Sequence, residues 1–163
     1  MSHIHRSRGL LAAVGVVLGS NAVAQTTLES VVVTAQKREE SLQAVGISVA
    51  AVSGAQLEQL GVSRATDIVQ QVPALQYTSF TPSFTTFSLR GISQNNFQDN
   101  LEAPVAVYMD GAYVASMNAI NGQQFDLERV EVVRGPQGTL FGRNATGGLI
   151  HFLSHRPVET ETN

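Results

Sequence analysis

Residues 126–157, DLERVEVVRGPQGTLFGRNATGGLIHFLSHRP, constrain the fold most, because an alternating strand runs into a long glycine-rich turn and a second strand follows. By alternation, Val130, Val132 and Arg134 share one face of the first strand, and Arg129, Glu131 and Val133 share the other. Arg134 thus stands where an apolar residue is due. The glycines between residues 135 and 148 give the turn its backbone freedom, and Pro136 stops the strand from continuing as a central ladder.

A glycine-rich turn after a strand can cradle phosphate, but the spacing here rejects that chemistry. Gly138 to Gly142 is one residue too short for G-x-x-x-x-G-K-[ST], Arg143 replaces the lysine, and no Ser or Thr follows directly. A dinucleotide fingerprint requires a helix after its glycines, whereas Leu149, Ile150, His151 and Phe152 read as a strand. The expected role of the stretch is structural: a turn between two strands.

These residues carry a resemblance. ERVEVVRGPQGTLFGRNATGG resembles the end of the plug domain of TonB-dependent outer-membrane receptors. ESVVVTAQKREES, FSLRGIS (residues 87–93) and VAVYMDGAYV (residues 105–114) agree with it in the family's order. The resemblance covers nearly all of the chain after its first residues. It departs locally at His151, where the family commonly has Asn, and at the pair His155 and Arg156.

Residues 1–24 read as a secretory signal, with Arg6 and Arg8 in a basic start, an apolar run over residues 9–18, and Ala22-Val23-Ala24 as the cleavage site. The run is shorter than the ~20 residues a spanning helix needs. Removing the signal leaves 163 − 24 = 139 residues, one domain with its own core. The mature charge becomes (10 − 2) − 13 = −5. The chain has no cysteine, so the fold depends on packing alone. Charged residues are 14% of the chain, against roughly 25% in a typical soluble domain. Neutral polar groups suit a plug inside a barrel lumen, and they equally suit an exported protein with a neutral polar surface.

Residues 25–43 read as an exposed, mobile segment containing one β-branched run. The resemblance identifies Glu29, Ser30, Val31, Val32, Val33, Thr34 and Ala35 as a TonB box, which adds a strand to the C-terminal domain of TonB. On propensity alone the run is an ordinary first strand or disorder. Residues 44–157 form the expected plug, a small α+β domain with a mixed β-sheet, short helices and long loops. Its elements are a strand over residues 47–53, a short helix over 54–61 with Leu57 and Leu60 on one side, and a helix over 64–72 capped by Ser63. Strands follow at 75–77, 84–90 and 105–109, the last ending in the turn at Asp110 and Gly111. Residues 158–163 are a tail where a barrel should begin, so the expectation is a fragment, a truncated gene or a free plug.

No catalytic set assembles, and neither an enzyme nor a cofactor is expected. His151 and His155, four apart on a strand, share a face; without a third ligand they read as solvent-facing residues and no metal is assigned. Arg90 and Arg134 both precede a glycine, in SLRG and VVRG. The resemblance implies that they face glutamates of the barrel wall; from the residues alone they could equally cap carbonyls at turns. It also implies that the outward loops carry the ligand contacts Tyr77, Phe80, Phe84, Ser116, Met117 and Asn118, suited to a ferric siderophore or other metal chelate. The implied function is the plug part of an active-uptake receptor in the outer membrane, gating the barrel and engaging TonB, with no partner among nucleic acids and no transport by this chain alone. The alternative is a soluble periplasmic binding or interaction module.

Overall fold

The computed structural model describes residues 32–34, 37, 38, 40–82, 84–94 and 101–157. In chain order these form strands β1 (Val32–Val33), β2 (Glu40–Ser41) and β3 (Ser48–Ser53), helix α1 (Gly54–Gln59), a 3₁₀ turn (Ala65–Gln70), and strands β4 (Leu75–Ser79) and β5 (Thr85–Leu89). Then come β6 (Val105–Met109), β7 (Ala112–Tyr113), β8 (Leu127–Arg134), the single-turn helix α2 (Gly138–Phe141) and β9 (Gly148–Ser154). The main sheet has the order β3-β8-β9-β6-β7, with β6 and β9 parallel and the other pairs antiparallel. Strands β4 and β5 make a separate hairpin, and β1 pairs with β2. This is the mixed-sheet α+β architecture expected, with few and short helices.

Strands β8 and β9 hold the centre, and Val130, Val132, Val133, Leu149, Ile150 and Phe152 bury both of their faces. On one face Val130, Val132, Ile150 and Phe152 pack with Leu57, Ile68, Val72 and Phe87, so α1, the 3₁₀ turn and the hairpin cover the larger core. On the other, Ala106, Val133, Ala145 and Leu149 form a smaller cluster with Tyr108, Tyr113 and Phe141 at its edge.

Two backbone positions explain why the sequence closes this way. Asp110 and Gly111 both adopt left-handed φ, 48° and 85°, the geometry that matches a two-residue hairpin to strand twist. Asp110 then secures the end of β9, since its Oδ1 accepts from the Ser154 amide and its Oδ2 from the Ser154 hydroxyl, both at 2.8 Å. At Gly148 φ is 142°, and a Cβ there would lie 2.3 Å from the Val133 carbonyl oxygen and 2.6 Å from Leu89 Cδ2. Only glycine lets β5, β8 and β9 meet there.

Some local expectations change. Ser53 caps α1 through a reciprocal pair with Gln56, and Leu57 is buried, but Leu60 lies past the helix end and is 54% exposed. The second helix is a 3₁₀ turn, and Ser63 does not cap it. Asp67 Oδ2 instead accepts from the amides of Ser63 (3.1 Å) and Arg64 (2.9 Å), a cap supplied from inside the turn. The single turn α2 within the glycine-rich stretch had no signal in the hydrophobic pattern.

Candidate functional site: two arginines and a docked leading segment

Arg90 and Gly91 take φ of 53° and 79°, forming a tight turn closed by paired bonds between Leu89 and Ile92. A left-handed arginine is an unfavourable choice that persists only where surrounding structure enforces it. Here it aims Arg90 at Ser48, whose Oγ lies 3.4 Å from Arg90 Nη2 and 3.5 Å from Arg134 Nη1. Ser48 stands opposite Arg134 in the β3–β8 register, so the two motif arginines converge on one hydroxyl. Neither has a carboxylate within ion-pair distance among the described residues. Arg134 Nε is buried and has no hydrogen-bond partner. Two cations sharing a neutral oxygen leave a positive field that a carboxylate from outside can complete bidentately.

The second site lies on the smaller-cluster face of the sheet. Cross-strand pairing aligns Glu131, His151 and Tyr108 in one row across β8, β9 and β6. The row is covered by the start of the described chain. Val33 is 0% exposed, the Thr34 amide donates to Glu131 Oε1 at 2.8 Å, and the Thr34 hydroxyl approaches the same oxygen at 3.2 Å. Glu131 is itself 0% exposed and is paired through Oε1 with Arg129 Nε at 2.8 Å, while Arg129 also contacts Glu128. Further along, Lys37 Nζ sits 5.3 Å from the Phe141 ring centroid. Of the described members of residues 25–43, Val33 is buried and Thr34 half-buried while Val32, Lys37, Arg38 and Gln43 are exposed, and β1 has a local neighbour in β2, with Val32 opposite Ser41 and Val33 opposite Glu40. The physical reason for the docking is the polar row, which burial by the chain can satisfy only with donors. Glu29, Ser30, Val31 and Ala35 lie outside the described residues.

His151 is not solvent-facing. It is 8% exposed, and its Nε2 accepts from the Gly111 amide at 3.0 Å, which leaves the proton on Nδ1. Burial pushes its pKa below the ordinary value, against the opposing pull of the Glu131 and Asp110 charges. His155 turns to Asp126 instead, 3.0 Å away, so the two histidines do not act together. Among the described residues no cluster of three or more metal-ligating side chains occurs.

The proposed ligand contacts divide. Tyr77 and Phe80 are exposed on the β4–β5 hairpin, and Ser116 and Asn118 are exposed on the following loop. Phe84 and Met117 are buried in the larger core, in one cluster with Phe87 and Ile120. Hairpin and loop are brought together by bonds from the Thr85 amide to the Met117 carbonyl, 3.3 Å, and from Asn121 Nδ2 to the Pro82 carbonyl, 3.4 Å. Sequence reasoning gave no role to Ser48, Arg129 or Glu131. The signal available for the last two was an oppositely charged pair two residues apart on one face of an otherwise apolar strand.

A mixed sheet covered on one face by α1, the 3₁₀ turn and a hairpin, its two central strands joined by a glycine-rich turn, defines a plug-type domain. The family described as TonB-dependent Receptor Plug Domain matches residues 41–149, and the chain belongs to it. The chain is 37% identical to the Pesticin receptor of Yersinia pestis over 155 residues, 92% of this chain and 23% of that protein. It is 33% identical to the Vitamin B12 transporter BtuB of Vibrio vulnificus over 132 residues, 77% of this chain and 20% of that protein. The crystal structure of the ferric yersiniabactin uptake receptor FyuA from Yersinia pestis aligns with a TM-score of 0.63 at 33% identity, covering 70% of this chain and 18% of that one. The chain thus spans only the plug part, less than a quarter, of these relatives.

Proposed function

We propose that this chain is the plug of an outer-membrane receptor for energy-dependent uptake of a large ligand such as a ferric siderophore or related metal chelate. It closes a β-barrel, receives ligand on the Tyr77, Phe80, Ser116 and Asn118 surface, and offers residues 29–35 to the C-terminal domain of TonB. Force from TonB displaces the plug so that ligand enters, and the plug alone transports nothing. The observation that carries this reading is the convergence of Arg90 and Arg134 on Ser48 without a carboxylate among the described residues. That geometry suits glutamates supplied by a surrounding wall, and such ion pairs in a watery lumen hold the plug while leaving it separable. Similarity to a ferric yersiniabactin uptake receptor and to a vitamin B12 transporter supports the ligand class. The TonB step is tested with purified TonB C-terminal domain by calorimetry. Val32→Pro abolishes binding when residues 29–35 pair as a strand, because proline removes a ladder donor. Unchanged affinity refutes that step.

A further inference from the structure

We propose that Glu131 is a positioning residue: a carboxylate latch that holds the leading segment against the sheet and withholds its strand from any partner. Thr34 gives Glu131 both its amide and its hydroxyl, and Arg129 supplies the third donor to the same carboxylate. A strand whose amide is committed to a buried acceptor cannot offer that amide to an incoming strand. Docking and strand addition therefore compete for the Thr34 N–H.

The chemistry of the latch makes it reversible. A charged acceptor with 0% exposure holds its donors through charge-assisted bonds, so losing them shifts the docking equilibrium by about ten- to a hundredfold. When the segment leaves, however, water reaches the carboxylate and offsets much of that loss, while Val33 is the one buried apolar side chain it gives up among the described residues. Arg129 keeps Glu128 as a second partner, so the open state strands no cation. The segment is held firmly enough to be absent from solution and weakly enough to be pulled out without disturbing the core. Glu131 lies on β8, three residues before Arg134, so the latch and the arginine cluster share one central strand.

The competition with TonB rests on the reading of residues 29–35 given above; the latch itself does not. The chain has no cysteine, so a single thiol reports opening cleanly. In the full chain, Val33→Cys labels slowly with a maleimide. Adding Glu131→Leu accelerates labelling at least about tenfold, and Glu131→Gln, which keeps an acceptor oxygen, gives a smaller acceleration. A thiol at Ala65→Cys, equally buried but in the core on the opposite face, stays protected in each variant. Thr34→Pro removes both donors from the segment side, leaves the sheet untouched, and accelerates labelling even where Glu131→Leu perturbs folding. Unchanged labelling of Val33→Cys in Thr34→Pro overturns the latch. Binding of the TonB C-terminal domain to Glu131→Leu then strengthens by the same factor as the labelling rate, since both read the fraction undocked. Faster labelling with no TonB affinity in any variant keeps the latch and removes the TonB-box reading.

Discussion

Gly148→Ala is expected to cost about 3 kcal/mol, because the new methyl meets the Val133 carbonyl oxygen and Leu89 at distances neither can relieve, at a φ that disfavours a side chain. Urea denaturation of the purified chain measures it. His151 makes the second expectation at this scale. Its pKa in the fold is lowered by burial, so below pH 6.5 the unfolded chain binds more protons than the native one. Stability contributed by the neutral imidazole is fully present above about pH 6.5 and is lost as pH falls through the lowered value. His151→Gln is expected to flatten the fall in stability between about pH 7 and pH 5, read from denaturation midpoints at each pH. These residue-level properties were the least legible in sequence. Alternation placed Glu131 and His151 correctly on faces, but only the packing of a distant segment and a turn amide determined that both are buried.

At the level of elements, legibility followed the strength of the local code. Strands β6 and β8 were readable from their valines, β9 from the apolar residues that follow Gly147 and Gly148, and the Asp110 and Gly111 turn from its dipeptide. The 3₁₀ turn was not, since its apolar residues have helical spacing while Asp67 tightens its start by accepting two amides. Docking of Thr34 on Glu131 was invisible because the two lie 97 residues apart in sequence. The Asp110 carboxylate ties two elements whose sequence separation is also large. Asp110→Ala is therefore expected to cost about 1–3 kcal/mol and to raise amide exchange at Ser154 before exchange in the rest of β9, measured by hydrogen–deuterium exchange.

For the whole molecule, the two arginines separate stability from assembly. With no carboxylate near them among the described residues, Arg90→Ala and Arg134→Ala are expected to change the stability of the isolated chain by less than about 0.5 kcal/mol. Arg90→Ala even relieves repulsion between the cations. Retention of the plug in a barrel, measured by co-purification, is expected to fall for each, and the double variant to fall by less than the sum because both touch Ser48. Undiminished retention in both single variants refutes the anchoring role.

The strand order has a kinetic consequence. Because β9 lies between β8 and β6, neither of those strands can reach the other, and the sheet has no continuous form until residues 148–154 are available. A chain released from its N-terminus can pair β3 with β8 and β6 with β7, but these two halves join only when β9 follows. A product ending before Gly148 lacks the strand that joins these halves and is expected to be a substrate for proteases rather than a smaller version of the same domain.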